Sequence, residues 1–369
     1  MGVFLSKRLR DALGLIACAI LAGAWLAGCR GSTASGLDET KGAMAVVLTQ
    51  AESTSELAII DLERMREVER IRLRSRCLSI DGDGQQRIIA TAQCGGVGPD
   101  ADSAVGVIEI GDAATPRYVE LGVPNPIDIA VSQGMALVVH GFEQAEGTVA
   151  SQVSLSATGA KGSGLEQPRP IHVAVGAGRP EAFGGRIVLP ATWGPAGEPG
   201  NLRWLVPRDG AFESLDSSLV ADAATIVASP SALQADALVI VRDDRAGQWR
   251  IERHSDSERQ ATKVLPVPEK GYFAGCVFGG RVAVADADGL DPADPGRRIL
   301  VLDARTLDEV GRIALDGTPG AMRGWGDKLV VADAQRGALL VYEPGSMTPA
   351  RSLPVAGLDS GSADVVVFE

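Results

Sequence analysis

Aromatic residues are scarce in this 369-residue chain, with 5 Trp, 3 Tyr and 7 Phe. Since 45% of the residues are apolar, the core must be built mainly from Val, Ile, Leu and Ala. Histidine is scarcer still, and His140, His172 and His254 stand at no ligand spacing such as His-x-x-x-His. Each falls at or beside an expected strand, where a packed side chain is the simpler reading. Cys-x-x-Cys, Cys-x-x-Cys-His and Gly-x-Ser-x-Gly are absent, so zinc, haem and a serine nucleophile have no motif to rest on. Positive charge is in deficit: 35 Lys and Arg against 47 Asp and Glu give a net charge of −12. The chain therefore lacks the basic footprint that nucleic-acid binding requires. After residue 30 no long amphipathic helical pattern occurs.

What is present begins with an address. Lys7, Arg8 and Arg10 precede an apolar stretch from Leu13 to Leu26 that ends in Leu26-Ala27-Gly28-Cys29. A charged segment, a short apolar segment and a small-residue cleavage site read as a secretory signal, and the stretch falls short of the roughly 20 residues of a spanning helix. Leu-Ala-Gly-Cys resembles the lipobox of bacterial lipoproteins. The resemblance implies cleavage before Cys29 and diacylation of its thiol, against the alternative of an uncleaved signal anchor. Two or more acyl chains hold a protein on a bilayer where one barely does. Arg30 stands where an Asp would imply retention at an inner membrane. Residues 30–42 are small and polar, as suits a flexible tether. The expected division is a signal peptide over 1–28, a lipidated cysteine and tether over 29–42, and one domain over 43–369. The expected place is the cell envelope, anchored to a lipid bilayer and facing the extracytoplasmic side.

Removing the leader takes the net charge to about −14, so the body is acidic. Cys18 leaves with the leader and Cys29 carries lipid, which puts Cys77, Cys94 and Cys276 in a compartment that permits disulfides. Cys77 and Cys94 flank one expected hairpin and form either a bridge or two separate thiols. Cys276 sits in an apolar strand and reads as buried and inert.

The body repeats. One unit runs Arg298-Ile-Leu-Val-Leu-Asp303, a turn, Glu309-Val-Gly-Arg-Ile-Ala-Leu315, then Asp316-Gly-Thr-Pro-Gly320 and Lys328-Leu-Val-Val-Ala-Asp333. The same grammar opens the domain with Ala45-Val-Val-Leu48, Leu57-Ala-Ile-Ile-Asp61, Val68-Glu-Arg-Ile-Arg-Leu73 and Cys77-Leu-Ser-Ile-Asp81. Short β-branched runs bounded by Asp-Gly, Gly-Gly and Pro-Gly are strands joined by tight turns. Innermost strands are expected to begin near Cys77, Pro126, Glu181, Ala223, Tyr272, Gly320 and Ser362, a period of about 47 or 48 residues. Seven starts imply an all-β, seven-bladed β-propeller of four-stranded antiparallel blades. Three strands precede the first inner strand and one strand, 363–369, follows the last blade. The N- and C-terminal strands should therefore share one blade and leave no open sheet edge. Dividing 148–185 differently would give six or eight blades, and a pair of sandwiches is the other architecture.

The blades resemble the YVTN-type β-propeller repeat family, in which a strand ending Val-x-Asp, a turn, a strand and Gly-x-x-Pro recur. The tetrapeptide itself is absent; Val-Val-Ala-Asp at 330–333 and Val-Ala-Asp at 284–286 hold its place. Some members of such families are lactonases, yet no set of catalytic positions matches here and none is carried over. Trp193, Trp204, Trp249 and Trp325 do not recur at one blade position, as quinone-binding propellers would require.

Two features exceed background. Asp286, Asp288, Asp291 and Asp294 place four carboxylates in the loop after the second strand of blade 6, as a Ca²⁺ site or a solvated acidic turn. Loops of the same class carry Asp100, Asp102, Glu143, Glu146 and Glu198, so that face would favour a cation, a cationic peptide or a basic protein patch. Arg70, Arg72, Arg74 and Arg76 alternate with Ile71 and Leu73 on the expected outermost strand of blade 1. They either guard a sheet edge or form a docking stripe for an anionic headgroup or acidic partner. The function expected is a binding or scaffolding module of the envelope. An envelope hydrolase of lactonase type, with a metal at the channel, is the alternative, and convergent carboxylates in the channel would favour it.

Overall fold

Residues 44–50 read Met-Ala-Val-Val-Leu-Thr-Gln, and all but the last are buried. A strand apolar at every position must be covered on both faces. In the computed structural model, Met44, Val46 and Leu48 pack with one neighbouring blade, and Ala45 and Val47 with the other. The structure describes residues 42–369 apart from 52–53, 85–86, 95–102, 111–114, 145–146, 156–168, 174–179, 184, 192–200, 220–223, 228–236, 244–247, 255–258, 266–271, 287–297, 316–318 and 359–363. Cys29, the leader and the tether to residue 41 lie outside the described residues. Among the described residues no helix is long and apolar enough to cross a membrane.

Seven four-stranded antiparallel sheets form the ring. Blade 1 comprises β1 (Met44–Gln50), β2 (Ser55–Asp61) and β3 (Arg66–Arg72), completed by a strand from the other end of the chain. Blade 2 is β4 (Arg76–Asp83), β5 (Ile88–Cys94), β6 (Ser103–Glu109) and β7 (Arg117–Glu120). Blade 3 is β8 (Pro126–Ser132), β9 (Met135–Gln144), β10 (Gly147–Ser154) and β11 (Arg169–Val173). Blade 4 is β12 (Glu181–Phe183), β13 (Arg186–Ala191), β14 (Asn201–Arg208) and β15 (Ala211–Leu219). Blade 5 is β16 (Ala224–Val227), β17 (Ala237–Asp243), β18 (Gln248–His254) and β19 (Arg259–Leu265). Blade 6 is β20 (Tyr272–Phe278), β21 (Arg281–Asp286), β22 (Arg298–Asp303) and β23 (Glu309–Ala314). Blade 7 is β24 (Pro319–Trp325), β25 (Lys328–Asp333), β26 (Ala338–Tyr342) and β27 (Arg351–Pro354). The last strand, β28 (Asp364–Phe368), returns to blade 1 and pairs with β1 from Met44 opposite Phe368 to Leu48 opposite Asp364.

Apolar packing lies between blades rather than within them. The seven apolar clusters of buried residues each draw on two adjacent blades, one cluster for every interface around the ring. This follows from the strand period of two, which sends alternate side chains to opposite faces of a sheet. The Val-x-Asp signature has a local cause. Asp61 ends β2 and accepts from the Arg64 N–H at 2.9 Å, Asp303 ends β22 and accepts from Arg305 and Thr306 at 2.9 and 2.8 Å, and Asp333 ends β25 and accepts from Arg336 at 3.0 Å. A carboxylate at a strand end thus ties the turn that follows.

Candidate functional site

The inner strands β4, β8, β12, β16, β20, β24 and β28 line the centre of the ring. Four of them carry a bulge near their first residues, between Cys77 and Ser79, Pro126 and Asp128, Tyr272 and Ala274, and Pro319 and Ala321. A bulge leaves one residue without a cross-strand partner and re-aims its neighbours. Ile127, the bulged residue of β8, is 41% exposed, which is uncommon for an isoleucine in a strand this apolar.

Beyond the bulges the inner strands carry charge. Counting back two residues from the last paired residue of β4, β12, β20 and β24 gives Asp81, Glu181, Cys276 and Arg323, which therefore share a level. Their mutual influence is consistent with that placement. Burial pushes the Asp81 carboxyl up to about 7; Arg323 and the hydrogen bond from Val131 work against the rise, and Glu181 adds to it. Burial likewise pushes the Cys276 thiol up to about 12, lowered by Arg323 and raised by Glu181. A thiol held that high is neutral and a poor nucleophile.

One level along, carboxylates bridge blades. The Ser79 hydroxyl of β4 lies 2.6 Å from Asp128 Oδ1 of β8 and 3.1 Å from Asp364 Oδ2 of β28. Asp364 Oδ2 also accepts from the Ile80 N–H at 3.1 Å, Asp81 Oδ2 from Val131 at 2.7 Å, and Asp83 Oδ2 from Gly134 at 3.0 Å. Carboxylates of blades 1 and 2 therefore satisfy backbone donors of blades 2 and 3: Ile80 and Val131 on inner strands, with no strand of their own blade beyond them, and Gly134 in the turn after β8. Arg323 Nη2 stands 3.8 Å from Asp364 Oδ1. Asp81, Asp128, Glu181 and Asp364 thus stand on inner strands with Arg323 among them, an arrangement that attracts a cation.

The histidines lie elsewhere. His140 of β9 is fully buried between the Pro124 carbonyl at 2.9 Å and Ser151 Oγ at 2.8 Å. The carbonyl can only accept, so Nδ1 carries the hydrogen and Nε2 accepts from the serine. Burial lowers the His140 pKa, which keeps the ring neutral in this role. His254 of β18 is also fully buried, its Nε2 2.9 Å from Glu252 Oε2, while Arg250 Nε reaches Glu252 Oε1 at 3.2 Å. The side chain of His172 lies outside the described residues. No group of three or more His, Cys, Asp or Glu is placed to hold a metal among the described residues.

The residues singled out from sequence fare differently. Asp288, Asp291 and Asp294 lie outside the described residues, as does the side chain of Asp286, whose backbone ends β21. The bridge between Cys77 and Cys94 is not formed, and the described cysteines are thiols. Cys77 lies opposite Gln93 and Cys94 opposite Arg76. Paired residues share a face of the sheet and successive residues alternate, so the two thiols leave blade 2 on opposite faces. The arginine stripe is also corrected. Arg70 and Arg72 lie on β3, the outermost strand of blade 1, but Arg74 follows it and Arg76 opens β4, an inner strand of the next blade. Arg70 is engaged by Glu67 at 2.6 Å and Glu56 at 3.2 Å, and Arg74 by Glu120 at 2.7 Å and the Tyr118 ring. The channel carboxylates were not anticipated. Their signal was partial: Asp128 interrupts a run, Pro126–Ser132, that is otherwise apolar or small, and Asp364 heads the apolar run 365–368.

Among known proteins, no family model and no curated sequence matches this chain. Solved structures do. A protein of unknown function from Desulfotomaculum acetoxidans is 12% identical over 88% of this chain and 99% of its own, with a TM-score of 0.58. The WD40 domain of coronin from Toxoplasma gondii is 12% identical over 76% of this chain and 71% of that one, with a TM-score of 0.53. Apo AztD from Citrobacter koseri is 12% identical over 89% and 98%, with a TM-score of 0.50. At this identity the likeness is one of fold, a WD40-like β-propeller.

Proposed function

We propose that this chain is a lipid-anchored lipoprotein of the cell envelope whose propeller binds a cationic ligand or a basic protein patch. The anchor rests on Leu26-Ala27-Gly28-Cys29 at the end of a short apolar leader. The observation that carries the binding reading is the gathering of Asp81, Asp128, Glu181 and Asp364 on inner strands with Arg323 among them. Carboxylates on a low-dielectric channel wall focus a field that raises the local concentration of cations.

Fractionation of cells expressing the full chain tests the anchor. The wild type should sediment with membranes and be released by detergent, and Cys29→Ser should move to the soluble fraction. A soluble wild type would overturn the anchor. Binding is tested on the detergent-solubilised full chain by thermal unfolding with Ca²⁺, with EDTA and with an oligolysine peptide. A ligand at about 100 times its Kd adds about 2.7 kcal/mol, enough to raise the midpoint by degrees. A rise lost in Asp128→Asn would place the ligand at the channel, and no rise with any of these would count against the cationic reading.

The second reading, a hydrolase with a metal at the channel, shares the convergence of carboxylates, but among the described residues no three of them are placed to hold an ion. Metal-dependent opening of a lactone by the purified chain, lost in Asp128→Asn, would favour it over a binding module.

A further inference from the structure

Ser79 is in contact with more acceptors than it has hydrogens. Its hydroxyl has one hydrogen, and an ionised carboxylate only accepts. Yet Oγ lies 2.6 Å from Asp128 Oδ1 and 3.1 Å from Asp364 Oδ2. Backbone donors do not resolve the conflict. Ile129 donates to Asp128 Oδ1 at 2.9 Å, Val365 to Asp364 Oδ1 at 2.9 Å and Ile80 to Asp364 Oδ2 at 3.1 Å, and each of these N–H groups supplies its own hydrogen. A single serine hydrogen shared between two anions gives neither a full hydrogen bond; with one carboxyl in its acid form, that acid donates to Ser79 Oγ, the serine donates to the other carboxylate, and each contact is complete.

We infer that Asp364, Ser79 and Asp128 hold one proton between them, and that this proton clasps β28, the strand that closes the ring, to blades 2 and 3. The surroundings favour retaining it. Asp364 is 3% exposed. Against the clasp stand Arg323 from β24, 3.8 Å from Asp364 Oδ1, and Cys77 of β4, which feels Asp364; one level along, in reach of Arg323, come Asp81 of β4, Glu181 of β12 and Cys276 of β20. Neither β1 nor β5 carries a charged residue. Arg323 thus faces more than one carboxylate, and neutralising one of them by protonation relieves their repulsion. When the proton leaves to solvent, one serine contact becomes lone pair against lone pair, and the two aspartates repel across β4. Closure of the ring therefore weakens as pH rises.

Hydrogen exchange of the full chain in detergent, at about pH 5 and about pH 8 and corrected for intrinsic rates, reads the clasp directly. Protection of the Ile80 and Val365 amides should fall about tenfold at the higher pH relative to Leu340 in β26, the scale of one charge-assisted hydrogen bond. Asp128→Asn and Asp364→Asn each supply a permanent N–H donor, and either should remove the pH dependence. Asp81→Asn should leave it in place. Equal relative protection at the two pH values would overturn the clasp. So would a pH dependence that survives both aspartate variants, or one abolished by Asp81→Asn alone.

Discussion

Asp81 keeps some accessible surface, yet its carboxyl is raised from 3.8 to about 7 by burial. The sign of its effect on stability follows. Between these two values the native state holds a proton that the unfolded chain has released, so stability falls as pH rises through this window and the loss is complete above about 7. Asn at this position keeps an acceptor for the Val131 N–H and never ionises. Asp81→Asn should therefore unfold at a higher temperature than the wild type at about pH 8, by the equivalent of about 2 kcal/mol, with the advantage vanishing near pH 4. Thermal denaturation at the two pH values measures it, and equal midpoints at both would show that the charged form is tolerated without cost. No sequence pattern announces this property. Asp81 and Asp83 stand in a run that reads equally well as a polar turn, and their burial arises only when β8 is laid beside β4.

Among elements, the inner strands were the most legible. Each begins within two residues of the start expected from the repeat, because Asp-Gly, Gly-Gly and Pro-Gly pairs and β-branched runs are local signals. Facing across a hairpin was less legible. Cys77 and Cys94 belong to adjacent strands as expected, but parity of the register decides which face each thiol leaves by, and a bulge between Cys77 and Ser79 adds a residue that spacing alone does not reveal. The arginine run was misplaced for a related reason. Its alternation continues through Leu73, while the chain leaves the rim after Arg72 and crosses to the channel before Arg76. Close approach between elements was not legible either. A Cβ on Gly324 of β24 would lie 2.3 Å from the Val277 carbonyl oxygen of β20, and one on Gly311 would meet only the tip of Met347. Backbone cannot give way as a methionine can. Gly324→Ala should cost about 1–3 kcal/mol and Gly311→Ala less, as equilibrium denaturation of the two variants would show.

At the scale of the whole molecule, stability is shared around a ring whose apolar packing lies at seven interfaces. Ending the chain before residue 364 would remove β28, expose the edge of β1 and uncover Val46, Val47 and Phe368's neighbours at the packing between blades 7, 1 and 2. An open apolar edge is a template for pairing with other chains. The truncated protein should lose its single cooperative unfolding transition and aggregate, seen as early scattering on heating; a monomeric, cooperatively folded product would show that six complete blades suffice.

Closure by strands from opposite ends also sets a schedule for synthesis. β1 emerges early and its partner last, separated by about three hundred residues, which at a typical 5–20 residues per second is roughly a quarter of a minute to a minute. Throughout that interval the first blade is incomplete and the edge of β1 that β28 will cover is unpaired. A ribosomal stall anywhere before Asp364 therefore leaves a ring that lacks the strand to close it.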